Sequence, residues 1–87
     1  MPKNYLCPTT GREIISYLEE GYSGACRLQY KDRKGKKDRA IFLSLKEAER
    51  AASWAIQQDK GGDIQVSLHP TTAKFEYSKA EYWLFST

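Results

Sequence analysis

The stretch from Ser44 to Gly62 constrains this chain more than any other. Ser44 followed by Glu47 is a capping box, in which each side chain satisfies a backbone N–H left open at a helix start. Leu43 and Ala48 stand where a hydrophobic staple puts its two apolar residues. Behind the cap, Leu45, Ala48, Ala51, Ala52, Ala55 and Ile56 recur at helical spacing until Gly61-Gly62 stops the pattern. Most of that stripe is alanine, so the helix has little bulk to hold it off its support and must lie close against a sheet. At about 100° per residue, Trp54 falls off the stripe, among Glu47, Arg50, Gln57 and Gln58. Its indole is either an edge residue lying over a neighbouring strand or a contact residue for a partner.

A hairpin precedes this helix. Over 26–31 apolar and polar residues alternate, so Cys26, Leu28 and Tyr30 share one sheet face and Arg27, Gln29 and Lys31 the other. The return strand, 39–43, puts Ile41 and Leu43 on one side and Ala40 and Phe42 on the other. Being apolar on both faces, it is expected in a central position. Upstream, Tyr5-Leu6-Cys7 can add a short edge strand before Pro8. Thr10 and Glu13 form a second capping box and predict a helix over 11–20, with Ile14, Ile15 and Leu18 on its apolar face and Gly21 at its end. Downstream, Ile64, Val66 and Leu68 alternate with Gln65, Ser67 and His69 in a half-buried strand bounded by Pro70. Two further strands are predicted over 73–78 and 82–85. The expected architecture is a single α+β domain over 1–87, a two-layer arrangement in order α-β-β-α-β-β-β. Its sheet is mainly antiparallel, with two short helices packed on it.

Composition supports one ordered domain: 40% hydrophobic and 29% charged residues are ordinary for a globular chain. The 13% of aromatic residues serves either to fill a small core or to build a contact surface. Cys7 and Cys26 make no C-x-x-C pair and His69 is the only histidine, so the reading is two reduced, partly buried thiols in an intracellular protein, with no metal and no cofactor. The opening Met-Pro-Lys-Asn-Tyr-Leu-Cys-Pro lacks the apolar run of a secretory signal. No stretch approaches the roughly 20 apolar residues of a membrane span. A cytoplasmic protein without membrane contact is expected.

Charge is concentrated in one place. The turn Lys31-Asp32-Arg33-Lys34-Gly35-Lys36-Lys37-Asp38-Arg39 holds six cations and two anions, while the other residues hold eight and nine, so the formal +3 of the chain comes from this turn. Three readings fit it. It is a solvated hairpin that aids solubility, a phosphate-binding hairpin, or a dock for an acidic protein patch. As a two-stranded ribbon it can also enter a major groove and bring Arg27 and Gln29 to base edges.

Catalytic signatures are missing: there is no G-x-S-x-G, H-E-x-x-H or Gly-rich phosphate loop. Glu19 and Glu20 project from different sides of the predicted first helix, and His69 reads as an exposed strand-end residue. The expectation is therefore a non-enzymatic module that binds nucleic acid, DNA ahead of RNA. Its contacts are Arg27, Gln29, Lys31, Arg33, Lys34, Lys36, Lys37 and Arg39. The alternative is a small inhibitor or adaptor of phage type, docking on an acidic surface of a host nucleic-acid-processing protein such as a CRISPR or restriction complex. Trp54, Tyr82, Trp83 and Phe85 would be its anchors. The run Arg27-Leu28-Gln29-Tyr30-Lys31-Asp32-Arg33-Lys34-Gly35-Lys36-Lys37, followed by Phe42-Leu43-Ser44-Leu45-Lys46-Glu47-Ala48-Glu49, resembles the sheet-then-helix pattern of integrase arm-binding and AP2-type DNA-binding domains. That resemblance covers roughly a third of the chain and implies DNA contacts made by the sheet, although only two strands clearly precede the helix here.

Overall fold

The structure is a computed structural model that describes residues 3–59 and 61–72. Strands β1 (Lys3–Leu6) and β2 (Glu13–Ser16) form one antiparallel hairpin, and β3 (Cys26–Lys31) and β4 (Lys37–Phe42) form a second. Helix α1 (Leu45–Gln58) leads to β5 (Gln65–Pro70), which inserts between the hairpins to give the order β1-β2-β5-β3-β4. β5 is antiparallel to β3 from Cys26↔Pro70 to Lys31↔Gln65, and parallel to β2 at Ile15↔Ser67 and Ser16↔Leu68. β4 and β5 therefore run in the same direction with β3 between them. Parallel strands need a long crossover, and the 14 residues of α1 supply it.

The result is a small α+β domain with a five-stranded mixed sheet, and among the described residues it has one helix rather than the expected two. The expected helix over 11–20 is β2 and its flanks. Its buried positions are Ile14, Ser16 and Leu18, a period of two. The polar Ser16 interrupts the apolar alternation, yet its hydroxyl is satisfied in the core by accepting from the Leu18 amide at 3.2 Å. Gly11, at φ +72°, belongs to the β1–β2 turn, where its amide donates to the Cys7 carbonyl. Glu19 and Glu20 follow β2 outside any helix. A second correction concerns β4. Among the described residues it stands at the sheet edge rather than at the centre, which β5 and β3 occupy. The strands expected over 73–78 and 82–85 lie outside the described residues.

The core forms between α1 and one sheet face. Ile14, Cys26, Leu28, Tyr30, Ala40, Phe42, Val66 and Leu68 point toward the helix, which answers with Ala48, Ala52, Ala55 and Ile56. All three of those alanines are fully buried, so α1 sits as close to the sheet as the sequence demands. Ser44 caps it, its Oγ accepting from the Glu47 amide at 3.3 Å. Leu43 is 63% exposed, so the staple adds little. The close approach makes a prediction: Ala52→Leu forces bulk into a filled site and lowers stability by roughly 1–3 kcal/mol. Chemical denaturation reads this directly, and an unchanged midpoint would contradict the packing.

The far end of α1 is tied to the first hairpin and to the residues leading into β5. Asp59 Oδ2 accepts from Arg12 Nη1 at 3.1 Å and from the Ile64 amide at 2.7 Å, while Arg12 Nη2 donates to the Ile64 carbonyl at 2.6 Å. Burial alone would raise the Asp59 carboxyl, but the Ile64 amide and Arg12 outweigh it and hold the group below its ordinary value. A carboxyl lowered by folding contributes stability above its unfolded pKa and loses it as pH falls through the folded one. Asp59→Ala is expected to cost roughly 1–3 kcal/mol near neutral pH, and its deficit against the parent chain should shrink below about pH 4. A deficit that stays constant into acid would rule out the ionised carboxylate as the tie.

Candidate nucleic-acid interface

The sheet face turned away from α1 carries the charge. Residues opposite one another in a ladder point to the same side, so the register sorts this face into rows. One row runs Lys37, Lys31, Gln65; the next runs Arg39, Gln29, Ser67, Ile15; the third runs Ile41, Arg27, His69. Among the described residues Arg27, Lys31, Lys37 and Arg39 make no ion pair; the pairs formed are Arg12–Asp59 and Arg33–Asp63. The one carboxylate on this face of the strands is Glu13, over on β2, which accepts from Asn4 Nδ2. Lys31 and Lys37 face each other directly across β3 and β4, an arrangement that costs stability.

The third row differs from the other two. Ile41 is buried although it faces away from the helix, and Arg27 is half-buried, its Nε shielded from solvent with no hydrogen-bond partner among the described residues. The accessible part of the face is its Lys31–Lys37 end, with Arg39 beside it.

The turn beyond is built rather than loose. Asp32 Oδ1 accepts from the amides of Lys34 and Lys36, both at 2.9 Å, and the Asp32 carbonyl accepts from Gly35 at 3.0 Å. Gly35 takes φ +85°, which only a residue without Cβ adopts readily. These bonds hold Lys34 and Lys36 exposed at the tip, whereas Arg33 is engaged by Asp63. The hairpin is also not a free ribbon. β3 pairs with β5 along its whole length, which puts Arg27 and Gln29 in the interior of a sheet roughly 19 Å wide at about 4.8 Å per strand. That exceeds the roughly 12 Å of a B-DNA major groove, so the expected insertion of these two residues does not fit.

Two residues that sequence reasoning did not place here join the face. The Tyr17 amide donates to the Leu68 carbonyl at 3.0 Å, extending the β2–β5 pairing, and the Tyr17 ring stacks on His69 with centroids 4.8 Å apart and planes 7° from parallel. His69 is thus half-buried rather than an exposed strand end, and its ring nitrogen Nε2 shares a 3.1 Å hydrogen bond with Ser67 Oγ. Burial, with the nearby charge of Arg27, lowers its pKa and favours the neutral ring. A shallow groove of about 240 Å³ runs beside Tyr17, lined by Ile15, Gln29, Lys31, Lys37 and Ser67 among others.

The remaining candidates lie elsewhere. Trp54 sits on α1, in the opposite layer from the basic face, 36% exposed. Tyr82, Trp83 and Phe85 fall outside the described residues. Cys7 and Cys26 are free and buried. Burial and Glu49 push the Cys26 thiol up to about 11. At Cys7 burial also raises the thiol, but hydrogen bonds from Thr10, Thr9 and Gln57 outweigh it and lower the pKa. Among the described residues no three side chains of His, Cys, Asp or Glu converge as metal ligands would, and no helix is long and apolar enough to cross a membrane.

No protein-family model matches this chain, and comparison with curated proteins and with solved structures gives no match. The sheet-then-helix pattern suggested by the sequence is not the one formed either. Four strands precede α1, and β5 separates the two hairpins.

Proposed function

We propose that this chain is a non-enzymatic nucleic-acid-binding domain whose phosphate contacts come from Lys31, Lys37 and Arg39 on the sheet and Lys34 and Lys36 on the turn. The observation that carries this reading is the directly opposed Lys31–Lys37 pair, which has no ion-pair partner among the described residues, with Arg39 in the adjoining row. Like charges held together without a counter-charge destabilise a fold, and a polyanion that lies across them removes that cost. Phosphates also release condensed counterions when such cations neutralise them, so affinity falls linearly in log salt.

The test is a titration of labelled DNA against the chain over a range of salt. A negative slope of several units supports the reading, and no binding at low salt overturns it. The competing reading, docking on an acidic protein surface, draws on the partly exposed Trp54 indole in the other layer. It requires a complex that survives moderate salt and is lost in Trp54→Ala.

A further inference from the structure

We infer that the groove beside Tyr17 is a base-binding site for single-stranded nucleic acid. This deepens the nucleic-acid reading above and rests on it. Single strands are held by aromatic rings on which unpaired bases stack, by polar groups that reach base edges, and by cations along the backbone. The groove brings all three together. Tyr17 forms one wall; one face of its ring is taken by His69 and the residue is 52% exposed. Gln29 and Ser67 lie side by side on the floor, offering donors and acceptors. Lys31 and Lys37 stand at the rim.

Duplex DNA fits this surface poorly. Its bases are already stacked on one another, and the sheet is too wide for the major groove. An unpaired base in the groove instead packs against Tyr17, whose ring His69 already holds in a stack. The ring pair is already aligned in the folded chain, so base binding does not have to order it. At about 240 Å³ the groove is also smaller than the roughly 300–1,000 Å³ of a small-molecule site, which favours one ring of a longer polymer over a free ligand.

The experiment measures fluorescence anisotropy of labelled oligothymidylate, alone and annealed to oligoadenylate, with the parent chain, Tyr17→Ala and Tyr17→Phe. The single strand is expected to bind more tightly than the duplex. Tyr17→Ala should lose roughly 5- to 150-fold in single-strand affinity while keeping the parent salt slope, since no phosphate contact is removed. Tyr17→Phe should retain the affinity. Equal binding of both forms, with Tyr17→Ala unchanged on either, overturns the base site and leaves phosphate binding standing. Binding of neither form at low salt overturns the nucleic-acid reading, and this inference with it.

Discussion

A chain carrying Lys31→Glu, Lys37→Glu and Arg39→Glu together is expected to lose affinity for nucleic acid on the order of a hundredfold or more at low salt. The salt dependence should flatten in step. Each phosphate neutralised contributes about 0.9 to the slope on duplex and about 0.7 on single strands, so three lost contacts remove roughly 2–3 units. The fold should survive, because these side chains are solvent-exposed and make no ion pair among the described residues. The single change Lys31→Glu separates binding from stability. It sets opposite charges across the β3–β4 ladder, so the thermal midpoint should rise while affinity falls. Opposite signs in one variant are what a face kept for its charge produces. If the triple variant binds as tightly as the parent, the sheet face is not the contact surface.

The largest effect on stability is expected from Leu28→Ala. Leu28 and Leu68 face each other across the central β3–β5 pair, and both are fully buried beneath α1. Truncating such a leucine costs roughly 2–5 kcal/mol through lost transfer energy and the cavity left behind. A chain of 87 residues has a total stability of only about 4–13 kcal/mol, so this one change can bring it near unfolding. Urea denaturation should show a much lower midpoint with an unchanged slope. The neighbouring Gln29→Ala, whose side chain points to the other face, should shift stability by less than about 0.5 kcal/mol. Similar costs at the two positions would contradict the alternation on which the face assignment rests.

Local signals made some of this architecture legible. The capping box at Ser44 and the alanine stripe define α1 because both lie within one element and follow one period. The 26–31 strand is equally clear, its fully buried residues alternating with less buried ones without a break. β2 was hidden because Ile14, Ile15 and Leu18 suit a helix as well as a strand, and because a core serine stands where an apolar residue would have revealed the period. The edge position of β4 is not legible from apolar residues on both of its faces, since strand order is set by long-range pairing that local pattern does not carry. The cationic residues were found from charge alone. Tyr17 was not, because its place beside His69 depends on the parallel β2–β5 contact, which no local signal encodes. The tie between Arg33 and Asp63 was invisible for the same reason.

The insertion of β5 also sets an order of assembly. Each hairpin closes over a short turn, and such local pairing forms in microseconds, yet an isolated two-stranded hairpin is at best marginally stable in water. Neither can rest against the other, because the strand that separates them is also the last of the five described strands. Until residues 65–70 arrive, the facing edges of β2 and β3 stay unpaired and α1 has only half a sheet to cover. The five strands should therefore gain their structure in one late, cooperative step. Loop closure for distant pairings is slow, so refolding should be slower than this chain's length alone suggests, with β5 as the piece that both waits and completes.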